Sequence, residues 1–342
     1  MTTRPMAPGA GPDADQWFVD QGLPWFVPER RQRAHRALHS KHTLAGMAVI
    51  AVLALALGVV LAYLTDELSV APATMVTLIV LAAFLYAGRE LGAWPIAKWA
   101  FGRTMRSLRL LFPMVTRALP LLLLFMTFLF INAEVWEVSA TLDGAVLWVT
   151  VLLFSFIALA FLLTRLPEEL DHVDDEAEAS SVVEVCRDTP LAEYAQSVLD
   201  ADDSVERLAE RTKVHGLEKA NLLLVLIVTQ ALQVLLLSVS VFAFFVVFGA
   251  VIMKHGVQEA WTGSAIHALP YATNLSVELL QVSVFLAAFS GLYFTVYAVT
   301  DETYRDQFFT EIKAELEKAV GVRAVYLAAR GDANATANET RA

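Results

Sequence analysis

The 33 residues Asn221–Met253 contain no Asp, Glu, Lys or Arg. As an α-helix rising 1.5 Å per residue the run is about 50 Å long, well beyond the roughly 30 Å of hydrocarbon in a bilayer. A water-soluble domain rarely has a core deep enough to hide such a rod. Five further runs are long and apolar enough to span: Thr43–Leu64, Ala73–Glu90, Ala118–Val138, Ala145–Thr164 and Thr273–Val299. With 57% hydrophobic and 18% charged residues in 342, the chain has the balance of a polytopic membrane protein and not of a soluble enzyme or a disordered chain. The expected fold is all-α, a six-helix transmembrane bundle with a cytoplasmic helical layer.

Basic residues predict the orientation, because cytoplasmic loops keep an excess of Lys and Arg. Six lie in the 1–42 leader, six between spans two and three, six between spans four and five, and six after span six; Lys254 alone lies in the other loops. Both termini are therefore expected in the cytoplasm, and adding or removing one span would destroy the alternation. The first span follows a 42-residue polar leader and exceeds an h-region of about 7–15 residues, so it is not read as a cleavable signal.

The expected organisation outside the spans is helical. In the leader, Trp17, Phe18, Trp25 and Phe26 precede the basic run Arg30–Lys41. That combination suits either a collar on anionic inner-leaflet lipid or a packed N-terminal arm with an ordinary basic flank. Trp94, Phe101, Met105, Leu108 and Phe112 recur at helical spacing, predicting an amphipathic helix over 94–112 that Pro113 ends. Residues 165–220 read as an acidic connection opening on a solvated loop, with a short strand over Ser181–Arg187 and a short helix over Ser204–Lys213. Residues 300–329 read as a second amphipathic region with Gly321 as a stop signal, and 330–342 as a disordered tail. The inner part of the long fifth run needs a cover, for which the 94–112 and 303–320 helices are candidates. That run is expected to continue unbroken through Gln230 and Gln233.

Sites of chemistry are scarce. No Walker A loop, dinucleotide fingerprint, HExxH or nucleophile elbow occurs. The single Cys186 excludes a disulfide framework and reads as a packing residue. His35 and His39 have helical i, i+4 spacing but no carboxylate partner, a weak metal signal. Arg330-Gly331-Asp332 and the sequons at Asn334 and Asn338 are short matches of low specificity. A net charge of −11 argues against nucleic acid. No cofactor is expected.

Polarity inside the spans carries more information, since an unpaired polar group in hydrocarbon is costly. Asn274, Glu278 and Gln281 are spaced i, i+4, i+7 and are expected to form one stripe on span six, meeting Asn132 and Glu134 of span three. The stripe is read either as interhelical hydrogen bonding or as an outward-facing polar vestibule.

The strings Arg117-Ala118-Leu119-Pro120, Leu121–Phe125 and Phe130-Ile131-Asn132-Ala133-Glu134-Val135-Trp136 run through span three. With Gly291-Leu292-Tyr293-Phe294 and Thr300-Asp301-Glu302-Thr303-Tyr304-Arg305, the chain resembles an uncharacterised family of actinobacterial integral membrane proteins over most of residues 15–330. The resemblance implies a bacterial inner membrane and brings no substrate, cofactor or catalytic residue. The expected function is a non-enzymatic scaffold or accessory subunit of an envelope or transport assembly, with a membrane-protein partner or a second copy. The alternatives are a channel or transporter and, third, a membrane enzyme.

Overall fold

The computed structural model describes residues 12–39, 41–65, 70–89, 92–142, 144–176, 182–199, 214–270, 274–300 and 315–330. Among these the architecture is all-helical, the only extended pairing being an isolated antiparallel bridge between Ala268 and Ser276. Helices α1 (Pro12–Asp20) and α2 (Pro28–His39) flank a 3-10 turn at Pro24–Phe26. An apolar pair follows, α3 (Lys41–Thr65) and α4 (Val70–Arg89), each packed chiefly on the other. Three stretches are individually long and apolar enough to cross a membrane: Ala145–Thr164, Leu217–Ile252 and Val277–Ala298. Two bent pairs raise the count among the described residues to five.

Both bent pairs involve α5 (Ala93–Phe130), a 38-residue helix that corrects two expectations. Pro113 does not end a separate amphipathic helix, for α5 runs through Pro113 and Pro120 into the third apolar run. A proline withholds one backbone bond and costs a helix interior about 3 kcal/mol, a cost that the rest of this long helix outweighs. Nor does the third run continue straight to Val138. It turns by 73° at Ile131–Asn132 into α6 (Ala133–Ala140). The Asn132 side chain accepts from the Glu134 N–H at 2.8 Å, and the buried Trp136 indole donates to the Phe130 carbonyl at 2.7 Å. Polar groups freed on both sides of the bend are thus satisfied within it.

Beyond span four the expected acidic loop is also helical, since α7 (Ala145–Glu176) extends twelve residues past Thr164. Extending an existing helix costs no nucleation, and Glu and Leu are good formers. The expected strand over 181–187 is instead α8 (Val182–Cys186): its valines favour extended backbone, but no strand lies among the described residues to pair with it. Cys186 is fully buried, and burial pushes its thiol up to about 11. After α9 (Ala192–Leu199) comes α10 (Leu217–Ile252), 36 residues with no break at Gln230 or Gln233, as expected. Then follow α11 (His255–Thr262), α12 (Val277–Thr300) and α13 (residues 315–330). Gly321 does not stop α13; it lies mid-helix, where an added Cβ would sit 3.3 Å from the Val185 side chain. The expected 204–213 helix, the 303–314 part of the second amphipathic region and the 331–342 tail lie outside the described residues.

Helix α10 passes through two hydrophobic cores. Its first turns place Leu222, Val225 and Leu226 among Phe18, Leu23, Phe26, Ile96, Leu191, Val320 and Tyr326. The leader aromatics Phe18, Trp25 and Phe26 are therefore buried in protein interior. Its later turns place Leu237, Val241 and Phe245 among Met126, Phe130, Trp136, Leu279, Val282 and Leu286. Gly249 lets α12 approach closely there, since an added Cβ would collide with Leu279.

Candidate functional site

The five residues singled out in the spans do not converge on one stripe. Asn132 and Glu134 are exposed, and Asn132 is occupied as the N-cap of α6. Asn274 precedes α12, in left-handed backbone at φ 65°, a conformation Asn adopts more readily than most residues. Glu278 and Gln281 do lie on α12, buried at 5% and 7% exposure. Among the described residues no hydrogen bond joins Asn132 or Glu134 to the other three.

Glu278, Gln281 and Asn274 instead hold the α11–α12 connection to the bundle. The chain after α11 doubles back on itself: the Leu269 N–H donates to the Leu275 carbonyl at 2.9 Å and the Val277 N–H to His267 at 3.0 Å. This presents His267 to Glu278, whose carboxylate accepts from the His267 backbone N–H at 3.1 Å and meets the ring Nδ1 at 2.8 Å. The Gln281 amide donates to the Leu142 carbonyl at 3.4 Å, beyond the end of α6.

The hub of the arrangement is Gln258, fully buried on α11. Its Nε2 donates to the carbonyls of Met253 at 3.2 Å and Asn274 at 3.1 Å, and its Oε1 accepts from Ser276 Oγ at 2.6 Å. Ser276 Oγ also accepts from the Leu279 N–H at 3.0 Å, which makes Ser276 the N-cap of α12. Asn274 Nδ2 donates to Ala250 near the end of α10 at 3.2 Å. Sequence reasoning missed Gln258, Ser276 and His267. Ser276 carried a readable signal, a capping residue followed by Glu278 in the first turn; Gln258 and His267 carried none, because their partners across the connection lie 11 to 18 residues away.

A second concentration of polar groups surrounds the first turns of α10. Glu218, 3% exposed, pairs with Arg31 of α2 and with Arg323 of α13, the latter at 2.5 Å. Next to it the fully buried Asn221 accepts from the Trp25 N–H at 2.8 Å and donates to the Gly22 carbonyl at 3.1 Å. Tyr326 donates to Asp15 and accepts from Arg330 at 2.7 Å, while Arg330 reaches Glu29 at 2.6 Å. The Arg330 hydrogen bond holds the Glu29 carboxyl below its ordinary range; burial and Asp15 push the Tyr326 phenol up. No group of three His, Cys, Asp or Glu side chains among the described residues could hold a metal. Comparison with family models, with characterised proteins and with solved structures finds no match to this chain.

Proposed function

We propose that this chain is a multi-pass protein of a bacterial plasma membrane, with six spans and both termini cytoplasmic, acting as a non-enzymatic scaffold or accessory subunit of an envelope or transport assembly. The polar side chains at the start of α12 are engaged in holding a connection: Glu278 accepts from His267, and Gln258 bonds Ser276, Asn274 and Met253. That observation carries the scaffold reading over a channel or transporter. The layer formed by α1, α2, α9 and α13 around the start of α10 supplies the surface a partner would meet. Exposed Arg30, Arg33 and Arg36 on α2 suit anionic inner-leaflet lipid beside it.

Proteoliposomes test the functional reading. Sodium, potassium and proton flux should not exceed that of empty vesicles, and Glu278→Gln should cost at most about 1 kcal/mol of stability, since an amide oxygen still accepts from His267. A flux in the unaltered protein that Glu278→Gln abolishes at full expression would replace the scaffold by the transporter. Reporter fusions after Leu68, Val138 and Gly263 should each report an external location. A cytoplasmic signal at Gly263 with external signals at the other two would overturn the six-span order.

A further inference from the structure

We propose that the pocket between α1, α5, α10 and α13 binds a small organic monocarboxylate with an apolar body, a ligand site that goes beyond the scaffold reading and does not depend on it. The pocket has a volume of about 260 Å³. That is just under the range of about 300–1,000 Å³ usual for small-molecule sites, so its occupant is a compact one. The indoles of Trp17 and Trp99 line it, together with Leu23, Val225 and Leu316 of the surrounding core. Apolar walls around a few placed polar groups are the common make-up of such sites.

Charge decides what kind of occupant fits. Glu315 and Lys318 of α13 are the charged lining residues among those described. Glu315 is neutralised by an ion pair with Arg103, and its second oxygen is covered from solvent, so it presents nothing to a ligand. The Arg103 guanidinium is committed twice, for it also lies 5.6 Å from the centre of the Trp99 ring. Lys318 makes no ion pair or hydrogen bond among the described residues, which leaves its ammonium as the charge open to an occupant. A cationic ligand would be repelled by that ammonium, and a neutral one would leave it unpaired as the pocket loses water; a carboxylate pairs it.

Hydrogen bonding points the same way. Gln21 also lines the pocket, and its Oε1 accepts from the Trp99 indole N–H at 3.2 Å. That bond fixes which end of the carboxamide is the acceptor and leaves Nε2 as a donor with no acceptor among the described residues. One ammonium and one amide donor suit the two oxygens of a single carboxylate. A phosphate carries more oxygens and more charge and favours a forked guanidinium, but the Arg103 fork is already held by Glu315. The walls come from both ends of the chain, Trp17 and Gln21 from the leader and Leu316 and Lys318 from α13. An occupant therefore bridges those ends and stabilises their packing by mass action.

The test is a ligand-detected NMR titration of the full chain in lipid nanodiscs, with empty nanodiscs as the blank. Phenylacetate, phenylacetamide and phenethylamine serve as probes, one body carrying a negative, a neutral and a positive group. Phenylacetate should bind at least about tenfold more tightly than phenylacetamide, the worth of a hydrogen bond to a charged group, and phenethylamine most weakly. Lys318→Met should abolish that preference while leaving the affinity for phenylacetamide unchanged. Gln21→Glu keeps an acceptor for the Trp99 indole but sets a carboxylate in place of the donor; it should abolish phenylacetate binding and serves if Lys318→Met does not fold. Lys254→Met removes an exposed lysine just beyond the other end of α10 and should change nothing. The proposal is overturned if none of the probes binds, if the amide or the amine binds as tightly as the acid, or if the preference survives in both folded variants. Displacement of phenylacetate by an equal concentration of inorganic phosphate would overturn it too, by showing a plain oxoanion site.

Discussion

The two cores that share α10 are built on different principles. Around Leu222 and Tyr326 the apolar packing is cross-linked by side chains far apart in sequence: Arg31 and Arg323 on Glu218, Asn221 on Gly22 and Trp25, Tyr326 on Asp15. Around Phe130 and Phe245 the packing is aromatic and aliphatic, with those two rings stacked at 4.9 Å and Trp136 meeting Trp261 edge-on at 6.0 Å. There the hydroxyls of Ser240, Ser290 and Thr295 bond carbonyls of their own helices. On the proposed arrangement the first core lies in water, where alternative partners abound and a few buried polar pairings give uniqueness, and the second lies in hydrocarbon, where each helix satisfies its own backbone and shape selects the packing.

The contrast predicts unequal damage. Removing Glu218 should have the largest effect, because Glu218→Ala leaves Arg323 buried without its carboxylate; breaking such a pair costs about 3–5 kcal/mol. Hydrogen exchange should then rise sharply in 12–39 and 315–330 while α12 keeps its protection. Equal loosening of both cores would show that they fold as one unit. Leu222→Ala should come next, at about 2–5 kcal/mol for a fully buried leucine, measured as a lower midpoint in denaturant and confined to the same layer.

Smaller effects sharpen the comparison from the other core. Ser276→Ala removes the N-cap of α12 and a partner of Gln258, which should cost about 1–2 kcal/mol and raise protease sensitivity between Thr262 and Val277. Acid should act weakly on the terminal layer. The Glu29 carboxyl is held below its unfolded value, so its contribution is present above the unfolded value and is lost as pH falls through the folded one. Because Glu29 is exposed, the loss should be only a few tenths of a kcal/mol. Glu29→Gln should remove that component from a pH titration of stability without altering it near neutrality beyond the same amount.

The long apolar helices were legible because hydrocarbon accepts little but apolar side chains, a local property of each segment. The continuity of α10 was legible for the same reason, as was the need to cover Leu222–Leu226. Pro113 and Gly321 misled, for each breaks an isolated helix but neither outweighs its surroundings in α5 and α13. The bend at Asn132 and the start of α12 at Ser276 were written locally as capping residues followed by glutamate, yet an unbroken apolar run drew the boundary past both. The clasp on Glu218 had no local signature at all, since its partners lie 187 and 105 residues away.

Those separations also set an order of events during synthesis. Asp15 meets Tyr326, and Glu29 meets Arg330, across 311 and 301 positions. At about 5–20 residues per second, the leader therefore waits on the order of 15–60 s for the helix that completes its core. Throughout that interval Phe18 and Phe26 are without the far end of the chain that encloses them. This core closes last, as a latch fastened after every long apolar helix of the chain has been made.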